Sequence, residues 1–164
     1  MKQHTYQSNS ELLAWIALAS AQRISPKIWL QTLEHYQLSP ADLAGNASSL
    51  PDAVKQLVDQ ISKPLIEAAF SWQQAADDRH IISYSSSYYP QLLKQLDSPP
   101  LVLFATGNIA LLRSPQIAIV GSRRASIQGK RIANEFALGL SNNGVAVTSG
   151  CLLYTSPSPR DRSI

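Results

Sequence analysis

A basic turn between two apolar segments carries the residues whose types and spacing best fit a chemical role. Gly121, Ser122, Arg123 and Arg124 directly follow four apolar residues at 117–120. A helix is predicted to begin just after this turn, so backbone amides and the positive end of the helix dipole face it. Amides, a hydroxyl and cationic side chains at a helix start form an anion site, and phosphate is an anion that such sites hold.

The charge distribution supports the same site. The formal net charge is only +3, but residues 98–134 hold five basic residues and no acidic one. Residues 1–97, in contrast, hold seven basic and nine acidic residues. Lys130 and Arg131 extend the basic block just past the first turn of the predicted helix, where the helix dipole disfavours cations. We therefore expect an anionic partner here, the alternative being that the long basic side chains simply extend into solvent.

No enzyme or cofactor signature accompanies this site. The sequence has no G-x-x-x-x-G-K-[ST] phosphate loop, no G-x-G-x-x-G dinucleotide fingerprint and no G-x-S-x-G nucleophile motif. Cys151 is the only cysteine, and the three histidines are far apart in the sequence. We therefore predict no catalytic residues, no metal ligands and no cofactor. Several basic residues without an acidic residue to hold a ribose favour a polyanion over a single nucleotide.

Residues 1–78 predict a helical domain. Ser25-Pro26 and Ser39-Pro40 each place a capping hydroxyl before a proline, which is typical of a helix start. The apolar residues between these starts recur at helical spacing.

One apolar segment near the N-terminus has two interpretations. Residues 12–21 have the length of the apolar region of a signal peptide. Glu11 and a capping sequence that begins at Ser8 favour a folded helix instead. No run of 18 or more apolar residues occurs, so we predict no membrane span.

Residues 79–150 predict an α/β domain with a parallel sheet. Strands are predicted at 80–84, 101–105, 117–120 and 145–148. The third strand shows no alternation, so we expect it to be covered on both faces. Ser126 is predicted to cap a helix between the last two strands, and such a crossover implies parallel strands with a right-handed connection. The buried face of that helix is expected to consist of Ala133, Phe136, Ala137 and Leu140.

Three tyrosines lie close together in the connection after the first predicted strand. Tyr84, Tyr88 and Tyr89 are amphipathic rings, which suit a half-buried junction between domains. We favour that packing role over the alternative, in which the rings stack on nucleic-acid bases.

Residues 151–164 fit neither domain. They show no periodicity and follow the Ser149-Gly150 turn, at which another helix should begin. A sheet that stops there has few strands and an uncovered edge. We interpret these residues as a foreign tail and the chain as truncated.

Four segments carry a resemblance through their order and spacing. They are Tyr89-Pro90-Gln91-Leu92-Leu93, the run from Ser98 to Phe104, the run from Ile117 to Ala125, and the run from Gly144 to Gly150. Together they resemble the DprA (Smf) family of DNA-processing proteins.

The resemblance implies a helical N-terminal domain like a sterile alpha motif or a helix-hairpin-helix, followed by a Rossmann-like domain that is truncated here. It implies a non-enzymatic protein that binds single-stranded DNA and helps to load the RecA recombinase in natural transformation. The single cysteine separately predicts a cytoplasmic location. The full-length protein is expected to form a homodimer, and this fragment is not. Arg23-Ile24-Ser25-Pro26 stands where family members often have a glycine hairpin, so the resemblance does not extend DNA binding to the helical domain.

The resemblance also assigns site residues. The family's phosphate-binding turn maps onto Gly121, Ser122 and Arg123, and the start of its second loop maps onto Ser149 and Gly150. Arg124 and Lys130 are added on electrostatic grounds. The predicted nucleic-acid site therefore consists of Gly121, Ser122, Arg123, Arg124, Lys130, Ser149 and Gly150.

Two other functions compete with this one. Phosphoribohydrolases of nucleoside monophosphates, the lysine-decarboxylase-like family, have a similar strand-turn-helix unit, and their catalytic motif would follow Gly150. The run from Ser98 to Phe104 and the helical domain do not suit that enzyme family. The third candidate is a protein-interaction module whose basic block binds an acidic partner.

Overall fold

The computed structural model describes residues 9–45, 50–122 and 125–150. Helices and strands are mixed, which confirms the α/β class at its coarsest level. The structure divides into two compact units, here called the N-terminal unit (residues 1–112) and the C-terminal unit (residues 113–164).

The N-terminal unit holds most of the regular structure. Its elements are α1 (Asn9–Ser20), α2 (Pro26–His35), α3 (Pro40–Ala44), α4 (Asp52–Val58), α5 (Lys63–Gln74), β1 (Arg79–Ser83), α6 (Gln91–Lys94) and β2 (Val102–Thr106). A 3-10 turn follows at Ile109–Arg113. None of the described helices is long and apolar enough to cross a membrane.

Two helix starts in this unit confirm the capping predictions. The Ser25 hydroxyl accepts a hydrogen bond from the Ile28 amide at 3.4 Å at the start of α2. At the start of α3, Ser39 and Asp42 form a capping box, in which each side chain accepts a hydrogen bond from the other residue's amide. Hydrogen bonds from the Ser39 hydroxyl and amide hold the pKa of Asp42 below its ordinary value of 3.8. The third predicted capping sequence begins at Ser8, which lies outside the described residues.

Helix α1 forms the centre of the N-terminal unit. Five successive residues, Ala14, Trp15, Ile16, Ala17 and Leu18, are buried, so apolar side chains cover the helix on every side. Such a helix must be surrounded, and α1 packs against α3, α5, β1 and β2. The segment with the length of a signal-peptide apolar region is therefore a core helix in this structure.

Strands β1 and β2 pair antiparallel and complete the N-terminal unit. Ile81 lies opposite Phe104 in the register, and β1 also packs on α1 and α5. Because of these contacts, residues 79–112 lie in one compact unit with the helices. The sequence pattern instead placed these residues in one domain with the later strands. The predicted domain boundary after residue 78 stays a prediction.

The tyrosine cluster packs inside the N-terminal unit. Tyr89 is 1% exposed and its hydroxyl donates to the Pro100 carbonyl at 2.8 Å. The Tyr84 ring lies 5.6 Å from the Trp15 ring and 5.4 Å from the Tyr89 ring. Burial, and to a lesser degree Tyr84, raises the pKa of Tyr89 above its ordinary value of 10.0, so the phenol keeps the proton that it donates. These contacts agree with the packing role and leave no open face on Tyr89 for a base.

The C-terminal unit contains β3 (Gln116–Ala118), α7 (Ile127–Asn142) and β4 (Ala146–Thr148). The two strands pair in parallel, as predicted. Helix α7 ends in a Schellman motif, in which the Val145 amide donates to the Leu140 carbonyl and the Gly144 amide donates to the Ser141 carbonyl. Gly144 adopts a φ of +74° there, in the left-handed region that favours glycine.

Two predictions about burial in this unit are wrong. Strand β3 is exposed along its length, with Ile117 45% exposed, and Val120 just beyond it is 85% exposed. On α7, Ala133, Ala137 and Leu140 are partly buried, but Phe136 is 65% exposed. One helix and two three-residue strands, the described elements of this unit, provide too little surface to cover both faces of β3.

Candidate nucleic-acid interface

The parallel pairing of β3 and β4 brings two predicted loops to one edge of the sheet. Ala118 lies opposite Thr148, and the Ile119 amide donates to the Thr148 carbonyl at 2.9 Å. The chain beyond Ile119 and the chain beyond Thr148 therefore leave the sheet from neighbouring positions. Ligands of open parallel sheets bind at this carboxyl edge, where the strand-to-helix loops begin.

Each of the two loops contributes predicted site residues to that edge. Gly121 and Ser122 follow β3, and Ser149 and Gly150 follow β4, and all four are exposed. Parallel strands extend in the same direction, so the sequence separation between the two loops does not separate them in the fold. The structure thus brings together four of the seven predicted residues at the level of the backbone.

Helix α7 begins beside the first loop and is capped by Ser126. The Ser126 hydroxyl accepts from the Gly129 amide at 3.1 Å, and the Ser126 carbonyl accepts from the Lys130 amide at 3.0 Å. The amides of Ile127 and Gln128 come before these bonds, and a helix provides no internal acceptor for them. The sequence predicts free amides at this helix start, and the cap at Ser126 identifies them as the amides of Ile127 and Gln128.

The two glycines of this segment have different surroundings. Gly121 does not adopt a left-handed φ, and an added Cβ atom would meet nothing within 4 Å. The turn itself therefore does not require glycine at this position. At Gly129 an added Cβ atom would lie 3.3 Å from the Ser126 hydroxyl oxygen. This glycine makes room for the capping hydroxyl, which gives it a structural role.

Helix α7 carries two basic residues, and only one of them forms an ion pair among the described residues. Arg131 forms an ion pair with Glu135 at 3.3 Å, on side chains that are 75% and 62% exposed. Lys130 is exposed on the first turn and has no ion pair among the described residues. The helix dipole disfavours a cation at this end. A bound anion would therefore stabilise Lys130 more than any other described residue of the basic block.

Two predicted residues and one predicted segment lie outside the described residues. Arg123 and Arg124 lie between the described ranges 50–122 and 125–150. The interpretation of residues 151–164 as a foreign tail likewise stays a prediction. Within the described ranges no group of three or more His, Cys, Asp or Glu residues could hold a metal ion.

Comparison with known proteins identifies the family. Residues 80–152 match a family model described as DNA recombination-mediator protein A. The DNA processing protein DprA of Bacillus subtilis is 30% identical over 144 residues, which cover 87% of this chain. The chain belongs to the DprA (Smf) family.

Shorter matches to other members agree with this assignment. The protein Smf of Escherichia coli is 36% identical over 85 residues, which cover 52% of this chain and 22% of that protein. The DNA processing protein DprA of Streptococcus pneumoniae is 40% identical over 60 residues, 37% of this chain and 21% of that protein. The match to the Bacillus protein covers 44% of its length, so the chain spans less than half of each of these relatives. The resemblance stated from the sequence is confirmed at the level of the family.

Proposed function

We propose that this chain is part of a DNA-processing protein that acts in recombination and binds single-stranded DNA through the C-terminal unit. The names of the relatives, DNA processing protein and DNA recombination-mediator protein, support the role in DNA processing. The finer features belong to the same proposal: a helical domain like a sterile alpha motif, a Rossmann-like domain, RecA as a partner, a homodimer of the full-length protein and a cytoplasmic location.

One observation carries the proposal: two loops and a helix start converge on the carboxyl edge of a parallel strand pair. The loops provide the Ser122 and Ser149 segments, and α7 provides its first amides and Lys130. Backbone amides, hydroxyls and a lysine are the groups that contact phosphates in protein–DNA interfaces. Arg123 and Arg124, adjacent to Ser122 in the sequence, would extend such a surface along more than one phosphate.

Salt dependence of binding tests the proposal most directly. We would measure the affinity for a labelled single-stranded oligonucleotide by fluorescence anisotropy at several salt concentrations. Removal of one side chain that contacts a phosphate should lower the slope of log affinity against log salt by about 0.7. Arg123→Ala and Lys130→Ala are each expected to weaken binding and to reduce the slope by this amount.

Arg23→Ala provides the matched control, since Arg23 is an exposed basic residue of the N-terminal unit. It removes the same charge from the chain but should leave the slope unchanged. If Arg123→Ala, Lys130→Ala and Arg23→Ala all had the same effect, binding would depend on overall charge and the assigned site would be wrong. Tight binding of a nucleoside monophosphate but not of the oligonucleotide would contradict the polyanion proposal.

The RecA part of the proposal needs its own measurement. RecA filament growth on single-stranded DNA would be followed with and without this chain, using DNA first covered by a single-strand-binding protein. Faster filament growth is the expected result. DNA binding without any change in filament growth would limit the chain's role to DNA binding.

A further inference from the structure

A cavity of about 610 Å³ lies entirely within the N-terminal unit. It is lined by residues of α1, α5 and β1 and of the segments that follow β1 and β2. Ile81 and Ile82, which are 7% and 3% exposed, are among its lining residues. A volume of this size falls within the range of about 300–1,000 Å³ that is typical of small-molecule sites.

The lining combines aromatic rings with neutral amides. Phe70, His80 and Tyr88 supply three rings, and Gln73 and Gln74 supply two side-chain carboxamides from the last turn of α5. Neither glutamine side chain has a hydrogen-bond partner among the described residues. No Asp, Glu, Lys or Arg occurs among the lining residues within the part of the chain that the structure describes.

This chemistry selects for a neutral aromatic heterocycle. Aromatic side chains stack on planar rings, and a carboxamide offers both a donor and an acceptor to the edge of a base. A phosphate or carboxylate would find no lysine or arginine among the described lining residues, so it would lack the charge-assisted hydrogen bonds that such groups usually make. A purely aliphatic ligand would make no hydrogen bond to the glutamine carboxamides.

We infer that this cavity binds a purine or pyrimidine ring. The ring belongs either to a free nucleoside or to an unstacked base of a nucleic-acid strand, because both present the same planar face and the same polar edge. The inference does not depend on the proposed DNA binding by the C-terminal unit, since a free nucleoside carries no phosphate for that unit to contact.

The test uses the full chain labelled with ¹⁵N and the probes deoxyadenosine and thymidine. Titration should shift the side-chain amide signals of Gln73 and Gln74 and the backbone signals of β1. Gln73→Leu and Gln74→Leu each remove one hydrogen-bonding group, and each should weaken nucleoside binding by about fivefold. Gln56→Leu, on the exposed surface of α4, is the matched control and should leave binding unchanged.

A second variant keeps the test decisive if the glutamine variants are perturbed. Leu13 lines the cavity and is 44% exposed, so Leu13→Trp should fill the cavity while α1 keeps its buried side. Circular dichroism would check the fold, and nucleoside binding should be abolished. Cyclohexanol serves as the aliphatic probe and should bind far more weakly than either nucleoside.

Two further titrations separate the sources of the ring. A short single-stranded oligonucleotide that shifts the same signals as the nucleosides would support a strand base as the ligand, and one that shifts only signals of the C-terminal unit would support a free nucleoside. The inference is overturned if neither nucleoside shifts the signals of Gln73, Gln74 and β1, or if cyclohexanol binds as tightly as they do. In that case DNA binding that still depends on Lys130 would leave the proposed function intact.

Discussion

The two units of the chain contain the same kinds of helix cap but differ in how much apolar surface they bury. In the N-terminal unit Trp29 and Leu43 are 0% exposed, and they belong to one cluster with Trp15 and Leu18. In the C-terminal unit none of the described residues is buried. Helices in both units nevertheless begin at a serine cap, and α7 ends in a complete Schellman motif.

The difference shows which interactions hold each unit. Burial of apolar surface contributes about 25 cal/mol per Å² and is the dominant favourable term in folding. The N-terminal unit obtains this contribution around α1, whereas the C-terminal unit depends more on caps, helix propensity and a short strand ladder. The proposed DNA site lies in the less buried unit, where its loops are open to a ligand. Regions that bind ligands commonly come from the less stable part of a protein.

The largest expected difference between the two units is in the free energy of unfolding of two leucine-to-alanine variants. Leu18→Ala removes a fully buried side chain at the centre of α1 and should lower the free energy of unfolding by about 2–5 kcal/mol. Leu138→Ala removes the same atoms from α7, where Leu138 is 55% exposed, and should change it by less than about 0.5 kcal/mol. Denaturant unfolding followed by circular dichroism measures both. Similar decreases for the two variants would mean that α7 is covered by surface absent from the described structure.

Removal of the α7 cap is expected to have the next largest effect. Ser126→Ala deletes the acceptor of the Gly129 amide and should destabilise the start of α7 by about 1 kcal/mol. Hydrogen exchange of the Gly129 and Lys130 amides should then become about fivefold faster. Ser141→Ala, at the exposed end of the same helix, is the control and should leave these amides unchanged. An unchanged exchange rate in Ser126→Ala would show that the cap does not hold this end.

Local elements of both units could be predicted from the sequence because their causes are local. The caps at Ser25, Ser39 and Ser126 and the helix end at Gly144 each depend on residues within five positions of one another. Hydrogen bonds of that range are encoded by side-chain type and spacing. The parallel pairing of β3 and β4 also follows locally, since a helical crossover between two strands leaves little choice of direction.

Burial could not be predicted in the same way. The apolar run at 117–120 is typical of a covered strand, but coverage depends on elements that can be distant in the chain. The same is true of residues 79–112, whose place beside the helices depends on long-range contacts of β1 with α1 and α5. At the proposed site, the positions of Gly121, Ser122, Ser149 and Gly150 follow from strand order, whereas the space that Gly129 leaves for the cap could be recognised only from the position of the Ser126 hydroxyl.

Substitutions of two tryptophans would test whether polar contacts stabilise the N-terminal unit. The Trp15 indole donates to the Ser85 hydroxyl at 2.8 Å, and Ser85 in turn donates to Glu11 at 2.6 Å. The Trp29 indole nitrogen is buried and has no hydrogen-bond partner among the described residues. Both Trp→Phe substitutions make the buried ring smaller, but only Trp15→Phe removes a hydrogen bond. Trp15→Phe should therefore cost about 1 kcal/mol more than Trp29→Phe, as measured by denaturant unfolding. An equal or larger cost for Trp29→Phe would mean that packing alone decides the result.

The smallest expected effect is a difference in how the helix caps of the two units respond to pH. At the start of α3 the Asp42 carboxylate accepts hydrogen bonds from Ser39, and these bonds keep its pKa below 3.8. Stabilisation by this carboxylate is therefore fully present above pH 3.8 and is lost as the pH falls through the lower folded-state pKa. The cap of α7 uses the neutral Ser126 hydroxyl and the Gly129 amide, which do not titrate in this range. On acidification, NMR signals of the Ser39 and Asp42 amides should shift, and those of Ser126 and Gly129 should not.

Asp42→Asn provides the control for that titration, because it keeps the shape of the side chain and removes the charge. In this variant the Ser39 amide should no longer respond to pH between about 5 and 2, if the carboxylate is the group that titrates. A response that persists in Asp42→Asn would assign the pH dependence to another acid near α3. A response at Ser126 would show that the C-terminal unit is also sensitive to acid. The cap of α7 would then depend on a titrating group in addition to the Ser126 hydroxyl and the Gly129 amide.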